Sequence, residues 1–286
     1  MIVFGVRRVP RQIRDELDAT DEAAQLWRLT ARRQRALGKE TRLQLRVAGE
    51  MRDRALYRTF RAADIPAGGI RAENLGDAPL HAEAVRQTIA LPDWPGFSTD
   101  TLLAAGVDET ERALIGSVLD SYQHTNALAL VVLSALLAHC EPRPADAVKP
   151  AGAAPTPAGG KIPELPPMEA LDPEVAALVE ELNGFGEDSE PQLIASMYRH
   201  LAYWPAYLAL VRTMMVPLQR EGRLNALTHS IRALGHAHGS VLAAQLKPAA
   251  PPDTLQGALA SARLFVEHPI ARMTGLCALI RRATPR

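Results

Sequence analysis

The stretch KPAGAAPTPAGGKIPELPP, residues 149–167, sets the first limit on what this chain can fold into. Proline, alanine and glycine fill it, and large apolar side chains are almost absent, so it cannot bury enough surface to form a core. It reads as a linker, extended in part, beginning near Glu141 and ending at Pro167. The chain divides accordingly into residues 1–142, a linker over 143–170, and residues 171–286.

Both flanking parts read as helical. Aromatics make up only 5% of a chain that is 47% hydrophobic, and alanine and leucine dominate, which favours closely packed helices over sheets. In the second part Asp172-Pro173-Glu174 opens a helix with a cap, a proline in the first turn and an acid behind it. The stretch from Ala195 to Pro217 spaces Met197, Leu201, Trp204, Leu208 and Val211 at three- and four-residue steps, which stacks them on one helical face. Pro205 interrupts that face, so the spacing predicts two helices meeting at a corner with Tyr203, Trp204 and Tyr207 clustered at the bend. A long helix is expected near Leu227 to Leu246, then a final pair over Thr254 to Val266 and Pro269 to Arg282.

In the first part a helix is expected over Leu80 to Ile89. Thr99 or Asp100 can cap the next one, Gly106 can end it, and Asp108 or Thr110 can start another. That helix runs to Tyr122 and meets His124, Thr125 and Asn126, immediately before or inside the most apolar run of the chain, ALALVVLSALLA over Ala127 to Ala138. The amide of Asn126 then sits at the mouth of a core, where it needs partners.

Charge and cysteine usage exclude several functions. The 32 basic and 32 acidic side chains cancel, leaving no electrostatic footprint for nucleic acid. The run Arg32, Arg33, Arg35, Arg42 and Arg46 lacks interleaved aromatics and reads as a solvated face. Cys140 and Cys277 lie far apart in no paired motif, which argues against a disulfide framework, a Cys-ligated zinc site and a C-x-x-C redox centre. His229 and His236, seven apart, share a helical face, but His236 and His238, two apart, point in different directions, so the three read as surface or capping histidines and neither metal nor cofactor is expected there. Arg232 between them suits an anion. The run Ala127 to Ala138 falls well below the ~20 residues needed to span a bilayer, and MIVFGVRRVP is too short an apolar run for a signal peptide. A soluble cytoplasmic protein without membrane contact is the expectation.

The two halves also look like copies. SVLDSYQHTNALALVVLSALL resembles SARLFVEHPIARMTGLCALIR, with His124 answering His268, and QIRDELDATDEAAQLWRLTARR resembles LIASMYRHLAYWPAYLALVRT. Duplicated helical halves tend to pack about a pseudo-twofold axis, and the seam between them makes a natural pocket.

LLAAGVDETERALIGSVLDSYQHTNALALVVLSALL, AGEMRDRAL and the helix ending in LAYWP together resemble the group I D,L-2-haloacid dehalogenases. The resemblance covers nearly the whole chain. It implies an all-α intramolecular pseudo-dimer of two repeats and a hydrolysis that uses neither metal nor covalent ester. In that family an Asp of the second repeat is the general base on a water, an Asn of the first repeat holds the water, and the water displaces halide at C2 of a small carboxylic acid. The resemblance places the Asn at Asn126. It places the Asp seven residues before the Trp of the WP corner, where this chain has Met197, preceded by a matching Ser196. The family's early aromatic pocket position falls on Arg11 and its late Tyr near Glu267.

A thioether cannot take a proton, so dehalogenation is expected to be absent or very slow unless Asp15 or Glu267 replaces the base. Three classes of function remain. The chain is a dehalogenase-like hydrolase, a silent relative that binds a small carboxylic acid or another apolar ligand at the seam, or a helical interaction protein. A homodimer is left open.

Overall fold

The computed structural model describes residues 77–153, 162–187, 194–245 and 256–285. Arg11, Asp15 and the arginine run lie outside the described residues. Among the described residues every regular element is helical, as the composition predicts. Most of them belong to one compact unit, Asp77–Ala244 with Arg263–Arg286, and a second unit takes Ile2–Gly76 and Gln245–Ala262. The compact unit therefore draws helices from both sides of the proline-rich stretch.

Helices α1 (Ala78–Thr88), α2 (Thr99–Ala104) and α3 (Glu109–Cys140) precede that stretch. Ser98 caps α2, its hydroxyl accepting from Thr101 N–H, so the cap falls before both expected candidates, Thr99 and Asp100. Asp108 caps α3 as expected: its carboxylate accepts from Glu111 N–H over 2.8 Å, and Glu111 returns the bond to Asp108 N–H. The 32 residues of α3 run unbroken through His124, Thr125 and Asn126. Thr125 does not compete with the helix, because its hydroxyl donates to the Ser121 carbonyl over 3.0 Å.

Helices α4 (Pro173–Asn183), α5 (Ser196–Leu201), α6 (Pro205–Arg220) and α7 (Arg223–Ala243) follow. Then come α8 (Gln256–Phe265), a π-helical turn over Val266–Ile270, and α9 (Ala271–Ala283). The corner forms where Pro205 predicts it, with Trp204 out of helical geometry at φ −124° and ψ 76°. Its aromatics separate, though. Tyr203 and Trp204 meet edge to face with centroids 6.1 Å apart, whereas Tyr207 meets Phe97 and hydrogen-bonds Thr284. Tyr207 sits one turn into α6, so helical rotation carries it away from the bend.

α3 is the core helix, packed by α1, α7 and α9. It is long and apolar enough, by length and composition, to cross a membrane, and here Ile115, Leu119, Leu130 and Leu133 are buried within the fold. The α3–α7 contact is unusually close. Gly235 lies over Leu130 and Gly239 over Ser134, equal steps in the same direction, so the two helices run parallel. A Cβ on Gly239 would fall 2.4 Å from Ser134 Cβ. Gly235-x-x-x-Gly239 is thus a small-residue face that lets two backbones meet. α9 lies along the first half of α3, where Cys277 Sγ donates to the Leu119 carbonyl over 3.3 Å and Arg281 Nε pairs with Asp120 at 2.6 Å.

Candidate functional site

The short helix α5 brings a buried polar group against α3. Tyr122 Oη lies 2.6 Å from His200 Nδ1, and His200 Nε2 lies 3.1 Å from the Pro163 carbonyl. A carbonyl only accepts, so Nε2 carries the hydrogen, and Nδ1 accepts from the Tyr122 hydroxyl. His200 is 1% exposed, and burial pulls its pKa below the ordinary histidine value, with Arg199 adding to that and the Pro163 bond opposing it. The ring is therefore neutral at physiological pH.

The same helix anchors the end of the proline-rich stretch. Arg199 donates to the Pro166 carbonyl from Nε at 2.9 Å and Nη2 at 2.5 Å, and Tyr203 Oη donates to the Glu164 carbonyl over 2.8 Å. Residues 162–167 thus lie over His200 as a strap held by main-chain carbonyls. Proline explains this. It offers no N–H to pair with its own chain, so its carbonyls are open to side-chain donors.

Asn126 and Met197 flank the Tyr122–His200 contact, each one helical turn away on its own helix. Asn126 is half-buried, and its Nδ2 is a buried donor without a hydrogen-bond partner. Met197 is 1% exposed and Ser196 is half-buried at the first position of α5. Near the same turn of α3 is Arg86 of α1, which with burial lowers the pKa of His124. Arg86 pairs with Glu83 through Nε at 2.7 Å and keeps Nη1 buried without a partner. Glu267 is solvent-exposed on the π-helical turn and is not part of this buried group.

The histidines of α7 do not converge. His229 Nδ1 faces the Asn225 carbonyl, His236 Nε2 faces the Pro144 carbonyl, and His238 Nδ1 meets His81 Nδ1 at 2.8 Å. No group of three or more His, Cys, Asp or Glu side chains is placed to hold a metal among the described residues. Comparison of the chain with family models, curated proteins and solved structures returns no match.

Sequence reasoning missed the Tyr122–His200 pair. The available signal was that Tyr122 stands one turn before Asn126 and His200 one turn after Met197. Each position of interest therefore had a titratable neighbour on its own face.

Proposed function

We propose that this chain is a dehalogenase-like protein of two pseudo-symmetric repeats that binds a small carboxylic acid and does not turn it over. The observation that carries this reading is the Nδ2 of Asn126, a buried donor that no group among the described residues satisfies. Arg86 Nη1 supplies a second spare donor, and a carboxylate can accept from both kinds of group. Hydrolysis fails at the proton-accepting step. Met197 has no basic atom, and both nitrogens of His200 are already engaged.

The test is titration calorimetry of the full chain with 2-chloropropionate, together with a halide-release assay. Saturable binding that Asn126→Ala weakens about tenfold, without halide release, supports the proposal. No binding overturns it, and so does rapid halide release.

One observation favours a second reading, in which the protein does hydrolyse. A neutral imidazole that accepts from a phenol can serve as a base through it. Water would give a proton to Tyr122 Oη while the phenol passes its own to His200 Nδ1. The resulting hydroxyl bonds C2, and halide leaves with the bonding pair. Halide release lost in both Tyr122→Phe and His200→Gln, with binding kept, would establish this reading in place of the first.

A further inference from the structure

A second buried polar group lies where the end of α4 meets α9, and among the described residues it holds more positive than negative charge. Arg272 is 1% exposed. Its Nη1 donates to the Asn183 carbonyl over 2.5 Å and its Nη2 to Asn183 Oδ1 at 3.4 Å, while its Nε is buried without a partner. Tyr198, Glu187 and Arg232 stand within electrostatic range of it. Tyr198 is 0% exposed and its hydroxyl has no hydrogen-bond partner. Glu187, with a side chain 4% exposed, accepts from Arg232 Nη2 over 3.2 Å, and Arg232 Nε stays buried and unpartnered. His268 Nδ1 comes within 3.2 Å of Glu187 Oε2, in ion-pair range, but neither atom makes a hydrogen bond.

Among the described residues, two guanidinium groups thus stand near one carboxylate. The C-terminal end of α4, which Arg272 caps at Asn183, contributes at most about half a negative charge. An uncompensated buried cation is costly, and so is each buried donor left without an acceptor. Among the described residues three such donors are Arg272 Nε, Arg232 Nε and the Tyr198 hydroxyl. The Gly186 turn brings Glu187, the partner of Arg232, beside Arg272, and Tyr198 stands within electrostatic range of Arg272. One anion would answer all of these deficits. The room is small. At Gly186, whose φ is +74°, a Cβ would lie 3.0 Å from Thr228 Oγ1 and 3.4 Å from Arg272 Cγ. A monatomic ion accepts hydrogen bonds from any direction and needs less space than a carboxylate.

We propose that Arg272, Tyr198 and Arg232 form a buried site for one small, readily dehydrated monovalent anion of the size of chloride or bromide. It stands independently of the carboxylate reading at Asn126. A bound ion would lock the end of α4 and the Gly184–Glu187 turn onto α9.

The experiment is thermal unfolding of the full chain in sodium gluconate, with bromide or chloride replacing gluconate at constant ionic strength. The expected result is a rise in Tm that sets in near Kd and then climbs with the logarithm of halide concentration, on the order of 5–10 °C at a hundredfold excess over Kd, specific to the halide. Tyr198→Phe keeps the helical circular dichroism and moves the onset of that rise to about tenfold higher bromide. Crystals grown in bromide show an anomalous bromine peak beside Arg272. A Tm that responds alike to gluconate and halide overturns the proposal. So does the absence of that bromine peak, and so does formate raising Tm from as low a concentration as bromide. Arg272→Gln should abolish the halide response. If that variant does not fold, Tyr198→Phe and the bromine peak decide.

Discussion

Tyr122 donates its hydroxyl to His200 Nδ1 over 2.6 Å, joining residues 78 positions apart, and the far side of the same ring holds the strap at Pro163. Tyr122→Phe removes the donor and leaves a buried imidazole nitrogen unsatisfied, at a cost of about 1–3 kcal/mol. Urea unfolding should show a lower midpoint with an unchanged slope. Tyr203→Phe also removes a strap contact, but from a side chain 49% exposed, where water replaces the bond. Its midpoint should move by less than about 0.5 kcal/mol equivalent.

The His81–His238 pair sets an acid limit on stability. The two Nδ1 atoms are 2.8 Å apart, so one ring donates and the other accepts, and burial favours the neutral form of each. Burial, then the neighbouring His81, pulls His238 down to about 4, and burial lowers His81 against an opposing Asp77. A depressed histidine pKa means the unfolded chain binds the proton first. The stabilisation is therefore full above about pH 6.5 and is lost as pH falls from there toward 4. Unfolding free energy measured from pH 7.5 to 4 should fall with acid, and His238→Gln should flatten that slope while lowering stability at pH 7.5.

Two glycines of the core helices should respond to alanine with opposite signs. Gly239→Ala drives a Cβ to within 2.4 Å of Ser134 Cβ and 2.6 Å of its carbonyl carbon, so α3 and α7 must separate. A loss of about 1–3 kcal/mol is expected. At Gly116 of α3, a Cβ meets only Arg281 Nη2 at 3.9 Å. Gly116→Ala should stabilise by roughly 0.5–1 kcal/mol through helix propensity alone. Thermal melts of the two variants against the parent check both signs.

Met197→Asp tests the catalytic reading directly. Met197 is 1% exposed, so the new carboxyl would be buried and its pKa raised. The expected outcome is halide release from 2-chloropropionate that climbs with pH, together with a melting point several degrees lower. Adding Asn126→Ala should reduce that release about tenfold or more. A folded Met197→Asp protein without any release would remove Asn126 and Met197 from a shared reaction site.

Local chemistry made much of the fold readable in advance. Asp108, one of two candidate caps with Thr110, marked the start of α3, Pro205 marked the corner after Trp204, and Asp172-Pro173 marked the start of α4. Each signal lies within a few residues and acts through the backbone. The polar groups were harder to see. Tyr122 meets His200 across 78 residues and Arg272 meets Asn183 across 89, contacts that exist only once helices cross. The segment GHAHG drew attention for its histidines, while its two glycines set the α3–α7 distance. Alternation of small residues was visible there, but its meaning depended on a partner helix.

Cys277 carries a consequence for measurement. Its thiol is 0% exposed between α9 and α3, bonded to the Leu119 carbonyl, and burial pushes its pKa far above the ordinary thiol range. Only a thiolate attacks alkylating reagents, so this sulfur is silent while the two helices stay together. Cys140, at the end of α3, is only half-buried, and its thiol is raised by burial and by Glu141. The unaltered chain thus holds a natural pair of chemical clocks. The rate at which Cys277 labels, relative to Cys140, times the opening of the protein's interior without any introduced probe.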